Sequence, residues 1–206
     1  MNLSLNYLSD QFVFWNLKKI TQGYLQLTDS KGKEYFFGDE KSLLRAHIKI
    51  NDPIRICHAP TNRYYKGSET IIPICNRLAK EKEIEFILIE NKSFNEAQEI
   101  KKSCDILIDQ VHNRGGWGYG MNSVEALSMG LCCVTELIPE YIDFIPDNPF
   151  INVDSKSLFD VLSELVTNKE KIIEYKQKGY EWVEKYHNYN NTSNVLYQYY
   201  EDLGWL

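Results

Sequence analysis

Hydrophobic and polar residues along this chain follow two regimes that meet near Pro53. Before it the alternation is short and strand-like. Tyr24-Leu-Gln-Leu-Thr28 and Glu34-Tyr-Phe-Phe-Gly38 flank Asp29-Ser-Lys-Gly-Lys33, which predicts a hairpin. Ala46, Ile48 and Ile50 alternate with polar residues and predict a further strand, and Asp52-Pro53 marks a boundary. Residues 1–52 are therefore read as a small β-rich segment, and 53–206 as the main domain.

Past Pro53 the pattern alternates between two periods. Ile54-Arg-Ile-Cys57, Glu85-Phe-Ile-Leu-Ile89, Asp105-Ile-Leu-Ile108, Leu131-Cys-Cys-Val-Thr135 and Phe150-Ile-Asn-Val153 are short apolar runs suited to buried strands. Between them, Ile71, Ile74, Cys75, Leu78 and Ala79 share one helical face. With Thr70 as N-cap, Pro73 would fall in the first turn, where its missing N–H costs little. The acid-rich stretch Phe94 to Lys102 predicts a short helix, and Met121 to Met129 another, ended by Gly130. Apolar stripes through Leu158–Val166 and Ile172–Tyr186, then Val195–Leu203, predict a helical close. Strand–helix alternation of this kind predicts an α/β fold: a doubly wound, Rossmann-like parallel sheet with ligands at the carboxyl ends of its strands.

Length and composition narrow the partners. The chain has 206 residues and 43% apolar content, enough for one core with a small appendage. A net charge of -6 without a basic stripe argues against nucleic acid. No apolar run reaches about 18 residues, so no transmembrane segment is expected; peripheral membrane contact is left open. The opening MNLSLNYLSDQ lacks the pattern of an export signal, and five cysteines without metal spacing suit a reducing, cytoplasmic setting.

The candidate chemistry lies in two loops. In Arg114 to Gly130, a glycine-dense loop opens directly into a helix carrying Glu125. Gly118 and Gly120 can be plain turn residues, or can let an anion approach helix-start amides. Upstream, Arg63 and Lys66 sit in HAPTNRYYKGSE; they are either solvated loop cations or ligands for phosphate, and Gly67 would let the backbone approach it. No P-loop motif is present. Glu125 can favour a helix start by its charge or accept from a ribose diol. Asp105 and Asp109 frame Ile-Leu-Ile about 13 Å apart along a strand, too far for one ion, and read as strand-end acids. His58 and His112 lie near the same rim, each open to a structural or a functional role.

These motifs, with FILIEN, SCDILIDQ and GYEWVEKYHN in matching order, resemble the carboxyl-terminal half of a group 1 glycosyltransferase of the two-Rossmann (GT-B) type. The resemblance covers residues 53–206. It implies that this half binds a nucleotide-diphosphate sugar as donor and that the sugar is transferred with retention, with no protein-bound metal and no further cofactor. On that basis Lys66 and Arg63 would neutralise the diphosphate, and Glu125, matching the second glutamate of the E-x7-E pattern, would hold the ribose. Gly118, Gly120 and the amides of Met121 and Asn122 would face the diphosphate, with His58 at the rim. Trp117 stands where the family often has its first glutamate, and could stack on a ring instead. Residues 1–52 offer no counterpart of the family's acceptor domain, so the resemblance implies an acceptor-binding partner chain or a non-catalytic nucleotide-sugar-binding module. The spacing from Gly23 to Pro53 also faintly resembles the opening module of cyclopropane-fatty-acid synthases (GxLxL, FG, AxIxIxDP).

Overall fold

The structure is a computed structural model that describes residues 16–21, 24–28, 34–37, 49–114 and 119–206. The chain divides into two compact units, 1–47 and 48–206. In the first, β1 (Asn16–Thr21), β2 (Tyr24–Thr28) and β3 (Glu34–Phe37) form an antiparallel sheet in that order. The pairing of Thr28 with Glu34 and of Leu25 with Phe37 is the hairpin that the residues around Asp29–Lys33 predict. A register shift between Leu17 and Lys19 marks an irregularity in β1. The strand expected at Ala46–Ile50 falls largely outside the described residues; Lys49 and Ile50 have no regular structure. The part of the cyclopropane-fatty-acid-synthase likeness before Lys49 likewise rests mostly on residues outside them.

The second unit is the α/β domain. In chain order it has β4 (Ile54–His58), α1 (Arg63–Lys66), α2 (Ser68–Glu81), β5 (Ile84–Leu88), α3 (Phe94–Lys102), β6 (Ile106–Ile108), α4 (Met121–Ser128), β7 (Cys132–Thr135), α5 (Pro139–Ile142), β8 (Ile151–Asn152), α6 (Leu158–Leu165), α7 (Lys169–Tyr186) and α8 (Tyr189–Asp202). The five strands are all parallel in the order β5-β4-β6-β7-β8.

Strand alternation sorts the apolar side chains onto two faces. Ile54, Ile56, Ile106, Ile108, Cys132 and Val134 belong to one cluster with α2 and α6. Cys57, Leu107 and Cys133, the residues between them, belong to the other with α4. A sheet covered on both faces needs such continuous apolar strands rather than a polar alternate. From β4 the chain steps one way to β5, then back past β4 to β6 and onward. The helices change face at that reversal, as right-handed crossovers require. The reversal makes a crevice between the carboxyl ends of β4 and β6. α7 contributes Ile172 to one cluster and Trp182 and Val183 to the other. It approaches α4 closely, because a Cβ at Gly179 would meet Leu127 Cδ2 at 2.4 Å.

Two helix boundaries differ from expectation. Gly67, not Thr70, caps α2, so Pro73 lies inside the helix. The Thr70 hydroxyl is instead spent on His112 Nε2 at 2.8 Å. Residues Arg63 to Lys66, read as loop, form a short helix because Asn62 Oδ1 accepts from the Tyr64 and Tyr65 amides at 3.0 and 3.2 Å. All five cysteines are free and buried, as small hydrophobes. Burial alone pushes the Cys75 thiol up to about 12. Among the described residues no helix is long and apolar enough to cross a membrane.

Candidate functional site

The crevice at the carboxyl ends of β4 and β6 is where the candidate loops meet. Gly67 has φ 67, a left-handed conformation that closes α1 and opens α2 in one residue. A Cβ there would lie 2.3 Å from the Val111 carbonyl oxygen. The glycine therefore serves close docking of two loops rather than approach of a phosphate. The Val111 amide completes the joint by donating to the Lys66 carbonyl at 3.3 Å. This docking carries the Lys66 side chain over the end of β6.

There the Lys66 Nζ donates to Asp109 Oδ1 at 2.7 Å and to Gln110 Oε1 at 3.2 Å. It has a third N–H, with no acceptor among the described residues, and its side chain remains 15% exposed. Asp109 is fully buried and is also reached from α4: Asn122 Nδ2 donates to its Oδ1 at 2.8 Å and Ser123 Oγ to its Oδ2 at 2.6 Å. Burial pushes the Asp109 carboxyl up. The Lys66 ammonium and the hydrogen bonds from Lys66, Ser123 and Asn122 outweigh it and hold the group below the usual carboxylate range. One carboxylate oxygen thus ties a cation from the first loop to the first turn of α4.

Among the described residues the start of α4 is open. Gly120 is its N-cap and supplies no side-chain cap. Among the described residues no acceptor faces the Met121 and Asn122 amides. The Lys66 ammonium stands 4.0 Å from where a Cβ on Gly120 would lie. Gly115, Gly116, Trp117 and Gly118 lie outside the described residues, so the expected roles of Trp117 and Gly118 have no structural counterpart to report. Tyr119, just after them, stacks on Phe150 with centroids 5.1 Å apart and meets Trp182 edge-on. That cluster anchors the exit of the glycine loop.

The other candidates are placed as follows. Glu125 is the fifth residue of α4, beyond its first turn, so it is not a helix-start acid. Its Oε2 accepts from Lys101 Nζ at 2.6 Å and from Gln98 Nε2 at 3.0 Å, both on α3. Arg63 makes a two-pronged pair with Glu90, its Nε 2.7 Å from Oε1. His58 is fully buried and satisfied, with Nδ1 2.8 Å from the Ile108 carbonyl and Nε2 2.8 Å from Ser68 Oγ. Burial pushes its pKa down, partly offset by the Ile108 carbonyl and Asp109. His112, at φ 69, gives its amide to Glu136 at 2.7 Å. Met121 is exposed at the rim.

Two residues of this arrangement carry no sequence signal as ligands. Asp109 reads as a strand-end acid at the carboxyl end, near the ligand crevice, and Lys101 has no reading of its own within the stretch Phe94 to Lys102. In the structure a polar chain runs Gln110–Lys66–Asp109–Asn122–Lys101–Glu125–Gln98. Its two lysines alternate with two carboxylates, and Asn122 bridges the halves with Nδ2 on Asp109 and Oδ1 on Lys101 at 3.0 Å.

No protein-family model matches the chain, and no curated protein does either. Fold and site together define a Rossmann-like α/β domain with a charged network at its topological switch point.

Proposed function

We propose that residues 48–206 bind a nucleotide-diphosphate sugar and act as the donor half of a retaining glycosyltransferase of the GT-B type. One observation carries the reading: the Lys66 ammonium lies beside the uncapped, glycine-led start of α4, over the crevice between β4 and β6. Helix-start amides and a partly exposed ammonium suit a diphosphate. Departure of a nucleoside diphosphate builds negative charge on its terminal phosphate. A fixed cation and fixed amides aimed at that oxygen stabilise the step more than the bound ground state. Asp109 keeps Lys66 in place before the donor arrives, at no cost of reorganisation during the reaction. Glu125, at the far end of the network, suits the donor's ribose.

The chemistry that remains for a partner is acceptor binding, which the reading assigns to another chain or domain. Arg63, held by Glu90, and Trp117 in the place of an acid favour a second reading: a nucleotide-sugar-binding module without turnover. Donor hydrolysis or transfer separates the two, whereas both require binding. A thermal-shift panel of nucleotide sugars tests the shared part. A donor at about 100 times its dissociation constant stabilises the domain by about 2.7 kcal/mol, and no shift with any diphosphate contradicts both readings.

A further inference from the structure

Helix α3 buries residues that a helix merely covering a sheet has no reason to bury. Ala97 and Ile100 pack half-buried against the core, as an amphipathic pattern requires. Yet its two most deeply buried residues are polar, Gln98 at 9% exposure and Lys101 at 3%. Lysine loses strong hydration on burial and is rarely found there unless paired. Apolar side chains of similar volume are often as stable as, or more stable than, a buried ion pair. Stability alone therefore gives no account of Lys101. Gln98 sharpens the point, because its Oε1 is buried without a hydrogen-bond partner among the described residues.

The geometry points to Lys101 as a positioning residue for Glu125, and so for recognition of a ligand's vicinal diol. Lys101 Nζ holds Glu125 Oε2 at 2.6 Å, and Gln98 Nε2 reaches the same oxygen at 3.0 Å. Glu125 Oε1 has no partner among the described residues, and the side chain remains 30% exposed. One carboxylate oxygen is thereby locked inward and the other left to accept from a hydroxyl. The same ammonium donates to Asn122 Oδ1 at 3.0 Å, so the diol end and the Lys66–Asp109 end are fixed by one group. The assignment rests on the proposed reading that Glu125 faces the donor's ribose.

The test compares affinities of UDP and GDP with those of their 2′,3′-dideoxy counterparts by calorimetric titration. A hydroxyl-to-carboxylate hydrogen bond implies a ribo preference of about tenfold or more in the wild-type protein. Lys101→Met is expected to reduce that ratio to within about threefold; because both ligands of each pair carry the same diphosphate, any loss at the Lys66–Asp109 end cancels in the ratio. Should Lys101→Met alone fail to fold, the Lys101→Met/Glu125→Gln double variant removes both charges. Its ratio is then expected to equal that of Glu125→Gln alone. A full ribo preference in Lys101→Met, or a ratio in the double variant below that of Glu125→Gln, overturns the inference. A wild-type protein that binds no nucleoside diphosphate overturns the reading beneath it, and one that binds them without ribo preference overturns the role of Glu125 and the inference with it.

Discussion

At the amino end of β6, Asp105 accepts from Lys176 Nζ at 2.8 Å, from the Arg55 amide at 2.9 Å and from Asn51 Nδ2 at 2.9 Å. Lys176 is itself 4% exposed and spends another N–H on the Lys49 carbonyl. At the carboxyl end, four residues on, Asp109 is equally buried and equally paired, with Lys66. The contrast lies in what each lysine has left over. Lys176 is enclosed and tied to backbone, so its charge is consumed in joining α7 to the amino end of the central strand β6. Lys66 keeps an exposed side and, among the described residues, an N–H without an acceptor, with its ammonium beside the start of α4. A buried Lys–Asp pair by itself says nothing of function; the proposed anion site rests on a donor and amides that lack partners among the described residues.

The largest effect expected from breaking this contrast is at the closed end. Asp105→Ala strands the Lys176 ammonium without a counter-charge and is expected to cost about 3–5 kcal/mol in urea unfolding. Nucleotide-diphosphate affinity of the folded fraction is expected to stay as in the wild type. Gly67→Ala comes next. It forces a side chain into a left-handed turn and against the Val111 carbonyl, for a loss of about 2–5 kcal/mol. Loss of stability well under 1 kcal/mol would contradict the account of how the two loops dock.

At the open end the expected outcome is reversed. A Lys66→Ala/Asp109→Asn double variant removes both charges together, so stability is expected to change little. Diphosphate binding is expected to weaken roughly 10- to 100-fold, the range for a lost charge-assisted hydrogen bond. Acid titration gives a smaller, graded effect. His58 has its pKa lowered by burial, so below about 6.5 the unfolded chain takes up a proton that the folded one refuses. Stability therefore falls as pH drops below that value, and His58→Gln is expected to flatten this slope. The lowered Asp109 group adds a second loss only below about pH 4, where the unfolded carboxylate protonates. Smallest of all, Arg63→Ala is expected to leave the melting temperature unchanged, since its pair with Glu90 is exposed to solvent.

The sheet was the most legible part of the chain. Ile54–Cys57, Asp105–Ile108 and Leu131–Thr135 are short, apolar and bounded by breakers, and each becomes a central strand. Gly130 marks the end of α4 through its left-handed φ of 75. The site was legible only in part. The spacing picks out Lys66 and Glu125, but local spacing cannot say that Asp109 and Lys101 will meet them, because both contacts join residues far apart in sequence. Gly67 illustrates the same limit: its need for positive φ is a local fact, whereas the Val111 oxygen that forbids a side chain is tertiary. Pro73 was misplaced because the cap at Gly67 depends on that same contact.

The most direct measurement is calorimetric titration of a nucleoside diphosphate and of its parent nucleoside into the wild-type protein and the Lys66→Ala/Asp109→Asn variant. If Lys66 and the start of α4 form an anion site, the wild-type protein favours the diphosphate by at least tenfold, and the variant loses most of that margin while its affinity for the nucleoside holds. Equal affinity for both ligands in the wild-type protein, or an undiminished margin in the variant, contradicts the account.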